Sequence, residues 1–240
     1  MMSVETQVTK EDLLAGLTGK LVVYSDLTQC FYYPAEPTMA LLQGEMETHI
    51  PFYELLDLDP KPHFDTIKRW MKSYKKEGDI CLELQKEYTR LFINSKPKVP
   101  APPYGSLYLE NKGMIWGETT TEAVKLYVEA GLKVAEDFKD IPDHFAAELE
   151  FMWYLMREEV KARGFFQENT LDEDAERVKK VTDLQTRFLN NHLGVWYERF
   201  LDRVIASSRM VFYREVSTLA KKYITFEIQN RVKSCRTIEV

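Results

Sequence analysis

Pro142-Asp143-His144-Phe145-Ala146-Ala147-Glu148-Leu149-Glu150-Phe151-Met152-Trp153-Tyr154-Leu155-Met156 is the stretch that decides the fold. One stripe at helical spacing reads His144, Glu148, Phe151, Leu155, and a second reads Phe145, Leu149, Met152, Met156. A helix at the edge of a core needs one apolar stripe, so two stripes describe a helix enclosed by protein. Asp143 is placed to cap it, with Gly164 as its stop after about Arg163. His144 and Glu148, four residues apart, can join through a charge-assisted hydrogen bond near the helix N-terminus, where the dipole favours carboxylates. Read locally, a histidine satisfied at a capped helix start is the simpler account.

Working outward, the same periodicity predicts helices over 171–192, over 192–207 after a break at Gly194, and over 210–231. Upstream it predicts helices over 119–138, 79–93 and 63–77, with shorter ones at 38–46 and 51–56. Thr9 followed by Asp12 has the form of a capping box and opens a helix that Pro34 closes. Residues 94–106 hold Pro97, Pro100, Pro102 and Pro103, which lack a donor N–H and turn their predecessors away from helix. The expected architecture is all-α: a single-domain irregular helical bundle over residues 1–240, with a proline-rich loop at 94–106.

Composition agrees, since 13 Phe, 13 Tyr and 4 Trp against 10 Gly suit packed helices better than a strand-and-turn protein. No window approaches the roughly 20 apolar residues of a membrane span, and the polar N-terminus lacks the apolar core of a secretory signal. The protein is therefore expected in the cytoplasm, without stable membrane insertion. Cys30, Cys81 and Cys235 are scattered and read as free thiols. A net charge of −6 argues against nucleic acid as a partner. From Val134 to Glu176 stand thirteen carboxylates against four Lys or Arg, so the centre is more acidic than the whole chain and suits a basic ligand or a set of solvated helix faces.

Candidate chemistry is sparse. His49, His63 and His192 are isolated in sequence, and no metal-ligand spacing, phosphate-binding glycine loop or nucleophile elbow occurs, so no metal or cofactor is expected. An acid–base pair of His144 and Glu148 leaves a small helical hydrolase as one alternative, and a structural adaptor without a ligand groove as another. Tyr88, Leu91 and Phe92 precede the proline loop and Tyr104, Tyr108 and Trp116 follow it, a grouping common on peptide-binding surfaces. Leu91 and Phe92, ending an amphipathic helix, read as core.

Four motifs then resemble those of the TorD/DmsD/NarJ family of molybdoenzyme-specific chaperones, also called redox enzyme maturation proteins. They are Glu87-Tyr88-Thr89-Arg90-Leu91-Phe92, Pro102-Pro103-Tyr104-Gly105-Ser106-Leu107-Tyr108-Leu109-Glu110, Pro142-Asp143-His144 with Glu148-Leu149, and Phe188, His192-Leu193, Trp196, Phe200. Tyr88 and Tyr104 stand where some members carry Trp. The resemblance implies an all-helical cytoplasmic chaperone, not an enzyme. It would bind the N-terminal leader, often a twin-arginine signal, of a molybdopterin-containing oxidoreductase subunit, and hold the apo form until the cofactor is inserted. By motif, Asp143, His144, Glu148, Tyr104, Ser106, Trp196 and Tyr88 would be leader-binding residues, with Asp143 accepting an arginine guanidinium. The resemblance also implies a monomer or a domain-swapped dimer. If His144 titrates beside Glu148, leader affinity is expected to vary with pH.

Overall fold

The Thr9 hydroxyl accepts the Asp12 amide while the Asp12 carboxylate accepts the Thr9 amide, so both ends of the expected capping box are closed. This cap opens α1 (Lys10–Phe31). The computed structural model describes residues 9–74, 79–110, 115–133, 141–165 and 174–237. After α1 come α2 (Glu36–Ala40), a wide π turn (Leu41–Glu45), α3 (Met46–Thr48), α4 (Ile50–Glu54), α5 (Lys61–Tyr74) and α6 (Ile80–Tyr88). A second π turn (Thr89–Ile93) prolongs α6, and α7 (Ser106–Leu109), α8 (Glu118–Glu129), α9 (Phe145–Ala162) and α10 (Ala175–Asn191) follow. A 3-10 turn (Leu193–Val195), α11 (Tyr197–Ser207) and α12 (Val211–Thr237) complete an all-α fold, with no strand among the described residues.

The centre of the molecule is α9, as its two stripes require. Phe145, Leu149, Phe151, Met152, Leu155 and Met156 are all buried, and α9 lies between α1 and α10. Fully burying each side chain of this size contributes roughly 1.5–3 kcal/mol, which makes α9 the organiser of the core. α12 packs along α11 and α5, and the buried apolar residues of all these helices form one contiguous core. Close approach of α1 to α4 depends on Gly19, where a Cβ would lie 2.8 Å from the Phe52 carbonyl oxygen.

Two boundaries differ from expectation. The helix predicted over 119–138 ends at Glu129. Gly131 takes a φ of +84°, and the amides of Gly131 and Leu132 bond back to the carbonyls of Val128 and Tyr127 in a Schellman stop. Residues 134–140 lie outside the described residues, as do 166–173, so six of the thirteen carboxylates of the acidic centre are not placed. In the described part the acidic run is no single face: Glu148 and Glu159 are buried, while Glu158 pairs with Lys161 and Arg177. Finally, α9 is capped by His144, whose Nδ1 accepts the Ala146 amide at 3.1 Å. The cap expected from Asp143 is not made, because that carboxylate is engaged elsewhere. Gly164 does stop the helix, at φ +69°.

Candidate functional site

The Asp143 side chain is fully buried and turned towards the proline loop. Its Oδ2 accepts the Ser106 amide at 2.7 Å, and its Oδ1 accepts the Thr120 hydroxyl at 3.0 Å. Two backbone bonds reinforce the junction, from Gly105 N–H to the Asp143 carbonyl and from Phe145 N–H to the Pro103 carbonyl. They form an isolated antiparallel bridge between Tyr104 and His144. The Tyr127 hydroxyl donates to the Pro142 carbonyl at 2.7 Å, so α8, α9 and the loop meet at one point.

One turn further into α9, Glu148 is also fully buried. Its Oε1 lies 3.0 Å from His192 Nε2, and its Oε2 accepts the Trp196 indole N–H at 3.1 Å. Burial pushes the Glu148 carboxyl up, against the opposing pull of His192. Burial alone would pull His192 down, but the charge and hydrogen bond of Glu148 outweigh it and the imidazole lies above its ordinary value. The two groups therefore titrate as one pair inside the fold. The expected bond between His144 and Glu148 is absent: each points to a different partner, which removes the acid–base pair on which a hydrolase reading rested.

All four sequence motifs converge here. Trp196 stacks on Tyr108 with centroids 5.5 Å apart, meets Phe145 edge-on at 5.6 Å and lies beside Phe200. Phe92 reaches the same cluster through Phe200, and the Ala101 amide bonds to the Leu91 carbonyl. Gly105 fits against the Trp196 ring, where a Cβ would stand 3.1 Å from the indole nitrogen.

Placed against expectation, Ser106, Asp143, His144, Glu148 and Trp196 do come together, but all are buried. Asp143 cannot offer its carboxylate to a guanidinium in this conformation, since both oxygens already accept internal donors and no surface is left. Tyr104 is half-buried and meets the edge of His144 at 5.4 Å, while Tyr32 stacks on the same imidazole at 6.1 Å and donates to Glu150. Tyr88 is buried away from Asp143, with its hydroxyl donating to the Phe31 carbonyl. Leu91 and Phe92 are core, and Trp116 is 65% exposed. Among the described residues no group of three His, Cys, Asp or Glu side chains could hold a metal ion. None of the described helices is long and apolar enough to cross a membrane.

Residues 62–202, which contain all four motifs, match the family model described as nitrate reductase delta subunit. The chain belongs to that family. Among the delta-subunit family's relatives of this chain is the chaperone protein TorD of Vibrio parahaemolyticus. It is 26% identical over 159 residues, covering 66% of this chain and 69% of the relative. The TorD chaperone of Photobacterium profundum is 28% identical over 153 residues, covering 64% and 66%. A solved structure of a putative redox enzyme maturation protein from Archaeoglobus fulgidus aligns over 94% of this chain and 99% of its own, with a TM-score of 0.49 and 22% identity.

Within this delta-subunit family member, sequence reading missed Thr120 and left His192 without a role. The signal for His192 was its four-residue spacing from Trp196, which places both within reach of one acceptor. What hid it was the distance in sequence to that acceptor, Glu148.

Proposed function

We propose that the protein is a system-specific chaperone, not an enzyme, that binds the N-terminal leader of a molybdopterin oxidoreductase subunit. It holds the apo subunit in the cytoplasm until cofactor insertion and assembly, before export. The observation that carries this reading is the family match over residues 62–202, together with curated relatives named as TorD chaperones.

The site residues then serve recognition from behind the surface. Asp143, Ser106 and Glu148, with Trp196, fix the loop–helix junction, and Tyr104 offers the partly open ring beside His144. Tyr88 anchors the end of α6 from which the proline loop departs. A rigid recognition face loses little entropy when an extended peptide settles on it.

Calorimetric titration with the leader of the oxidoreductase subunit encoded beside this gene tests the reading. Saturable binding is expected, and the apo subunit should co-purify with the chaperone. Absence of binding by both leader and apo subunit overturns it. Burial of Asp143 and His144 favours a second reading, a helical adaptor that joins folded proteins without a peptide groove. In that case the isolated leader fails to bind while the folded subunit still does.

A further inference from the structure

Between α5 and the segment running from α2 to α3 lies a cavity of about 480 Å³, remote in sequence from the Asp143 junction. One wall is a single face of α5, where Phe64, Ile67 and Met71 stand at helical spacing and Lys68 and Lys72 border the same stripe. The opposite wall is Met39, Leu42 and Met46, carried by α2, the first π turn and α3. The chain bends between them at Gly44, whose φ of +153° suits glycine alone, and a Cβ there would meet nothing within 4 Å. The bend therefore faces open space and holds the two walls around it.

Wall and mouth differ in chemistry. Leu42, Met46, Phe64, Ile67 and Met71 are buried members of the contiguous core, so this is a place where the core is reached from outside. The long polar side chains of the lining, Gln43, Glu47, Lys68 and Lys72, are all exposed and stand at the mouth. Lys68 pairs with Glu47, whereas Lys72 has no ion pair among the described residues. Two lysines against one glutamate leave the mouth with one positive charge in excess.

We propose that this cavity binds a single-chain amphiphile with a carboxylate head, a fatty-acid anion, with its chain among the methionines and its head at Lys72. The proposal goes beyond the chaperone reading and stands without it. The volume lies in the range of small-molecule sites, roughly 300–1,000 Å³, and so does the lining, largely apolar with a few polar groups at one end. Met39, Met46 and Met71 have unbranched, adaptable side chains that can follow an alkyl chain through its bends. A peptide would bring backbone amides and carbonyls that need partners, and Gln43 is the sole neutral amide side chain of the lining. An alkyl chain needs none, and its carboxylate supplies the negative charge that Lys72 lacks.

Calorimetric titration of the full chain with dodecanoate, dodecanol and dodecyltrimethylammonium, each at monomeric concentration, tests it. Dodecanoate is expected to bind at a single site, dodecanol about fivefold more weakly, and the cationic amphiphile more weakly still. From decanoate upward each added methylene should tighten binding about fourfold, and the gain should stop once the cavity is full. Lys72→Gln, at an exposed position, should raise the Kd of dodecanoate about fivefold and leave that of dodecanol unchanged, a difference that a mere loss of fold would not produce. Met39→Trp, on the half-buried wall, should abolish binding of both while the melting curve stays in place. If Met39→Trp fails to fold, the comparison of head groups in Lys72→Gln decides alone. Absence of dodecanoate binding, equal binding of the three heads, or affinity that climbs without levelling to hexadecanoate overturns the proposal. Two other occupants would also overturn it. A second copy of the chain is the occupant if sedimentation shows self-association that Met39→Trp abolishes and dodecanoate does not bind. A client's leader is the occupant if Met39→Trp loses the leader while wild type ignores dodecanoate.

Discussion

Asp143 and Ser106, 37 residues apart in sequence, are joined by a buried hydrogen bond of 2.7 Å from the Ser106 amide to the Asp143 carboxylate. The same carboxylate takes the Thr120 hydroxyl, so one side chain fastens the proline loop, α8 and the head of α9. It is a fastening made entirely inside the protein.

Replacing it measures its role. Asp143→Ala leaves a buried amide and a buried hydroxyl without acceptors, at about 1–3 kcal/mol for each group. Asp143→Asn can still accept from Ser106 with its oxygen while its amide donates to Thr120, so it should lose less than half as much in urea denaturation. If both variants keep wild-type stability, the junction described above is not what holds the loop.

Stability should pass through a maximum at mildly acidic pH. His192 is raised in the folded state, so its contribution is complete below its ordinary value of 6.5 and disappears as pH climbs through the folded value. Burial pushes Glu87 up, but Arg90 and the Arg209 amide more than offset this and hold it below 4.5, so its contribution disappears as pH falls through the folded value. Chemical denaturation from pH 3.5 to 8.5 traces both limbs. His192→Gln should lessen the decline on the alkaline side, leaving the part due to His49, which its hydrogen bond to Asp26 raises, and should keep the acid limb in place.

Two glycines at the site should differ sharply in tolerance. A Cβ at Gly194 would run into the Leu189 carbonyl and come within 2.9 Å of Ile228 Cδ1, and backbone cannot yield cheaply. At Gly105 the nearest obstacle is the Trp196 ring at 3.1 Å, which can shift by a few tenths of an ångström. Gly194→Ala is expected to cost about 3 kcal/mol or more, and Gly105→Ala about 1 kcal/mol. Thermal unfolding of the two variants ranks them, and a reversed order contradicts this packing.

Trp196→Phe separates packing from hydrogen bonding. The ring contacts with Tyr108 and Phe145 remain largely available, but Glu148 loses the indole donor at 3.1 Å. A loss of about 1.5–3 kcal/mol is expected for a bond to a charged group. Combining it with Glu148→Gln in a double-mutant cycle should recover part of that cost, and strict additivity would show that the two groups do not interact.

Much of the fold was legible because it rests on local pattern. The stripes of α9, the capping box at Thr9 and the stop at Gly164 each depend on residues within a turn or two of each other. The end of α8 was legible too, at Gly131, but apolar residues beyond it continued the period and masked the stop. The site was legible only as a set of names. Asp143 and His144 are both competent caps, and what decides between them is a loop amide and a threonine hydroxyl far away in sequence. Nothing local predicts that Glu148 passes over its helix-mate His144 for His192, because that choice depends on how α10 packs on α9.

The π turn at Thr89–Ile93 has a bearing on how this family member can vary. A turn of this kind holds one residue more than an α-helical turn, and each residue of a helix advances its neighbours by about 100°. Here the extra residue lets the Leu91 carbonyl receive the Ala101 amide while Leu91 and Phe92 still face inward. Point substitutions that keep size are tolerable along this stretch, whereas deleting a single residue would rotate the anchor and detach the proline loop from its helix. Length, more than composition, is what natural variation should conserve there.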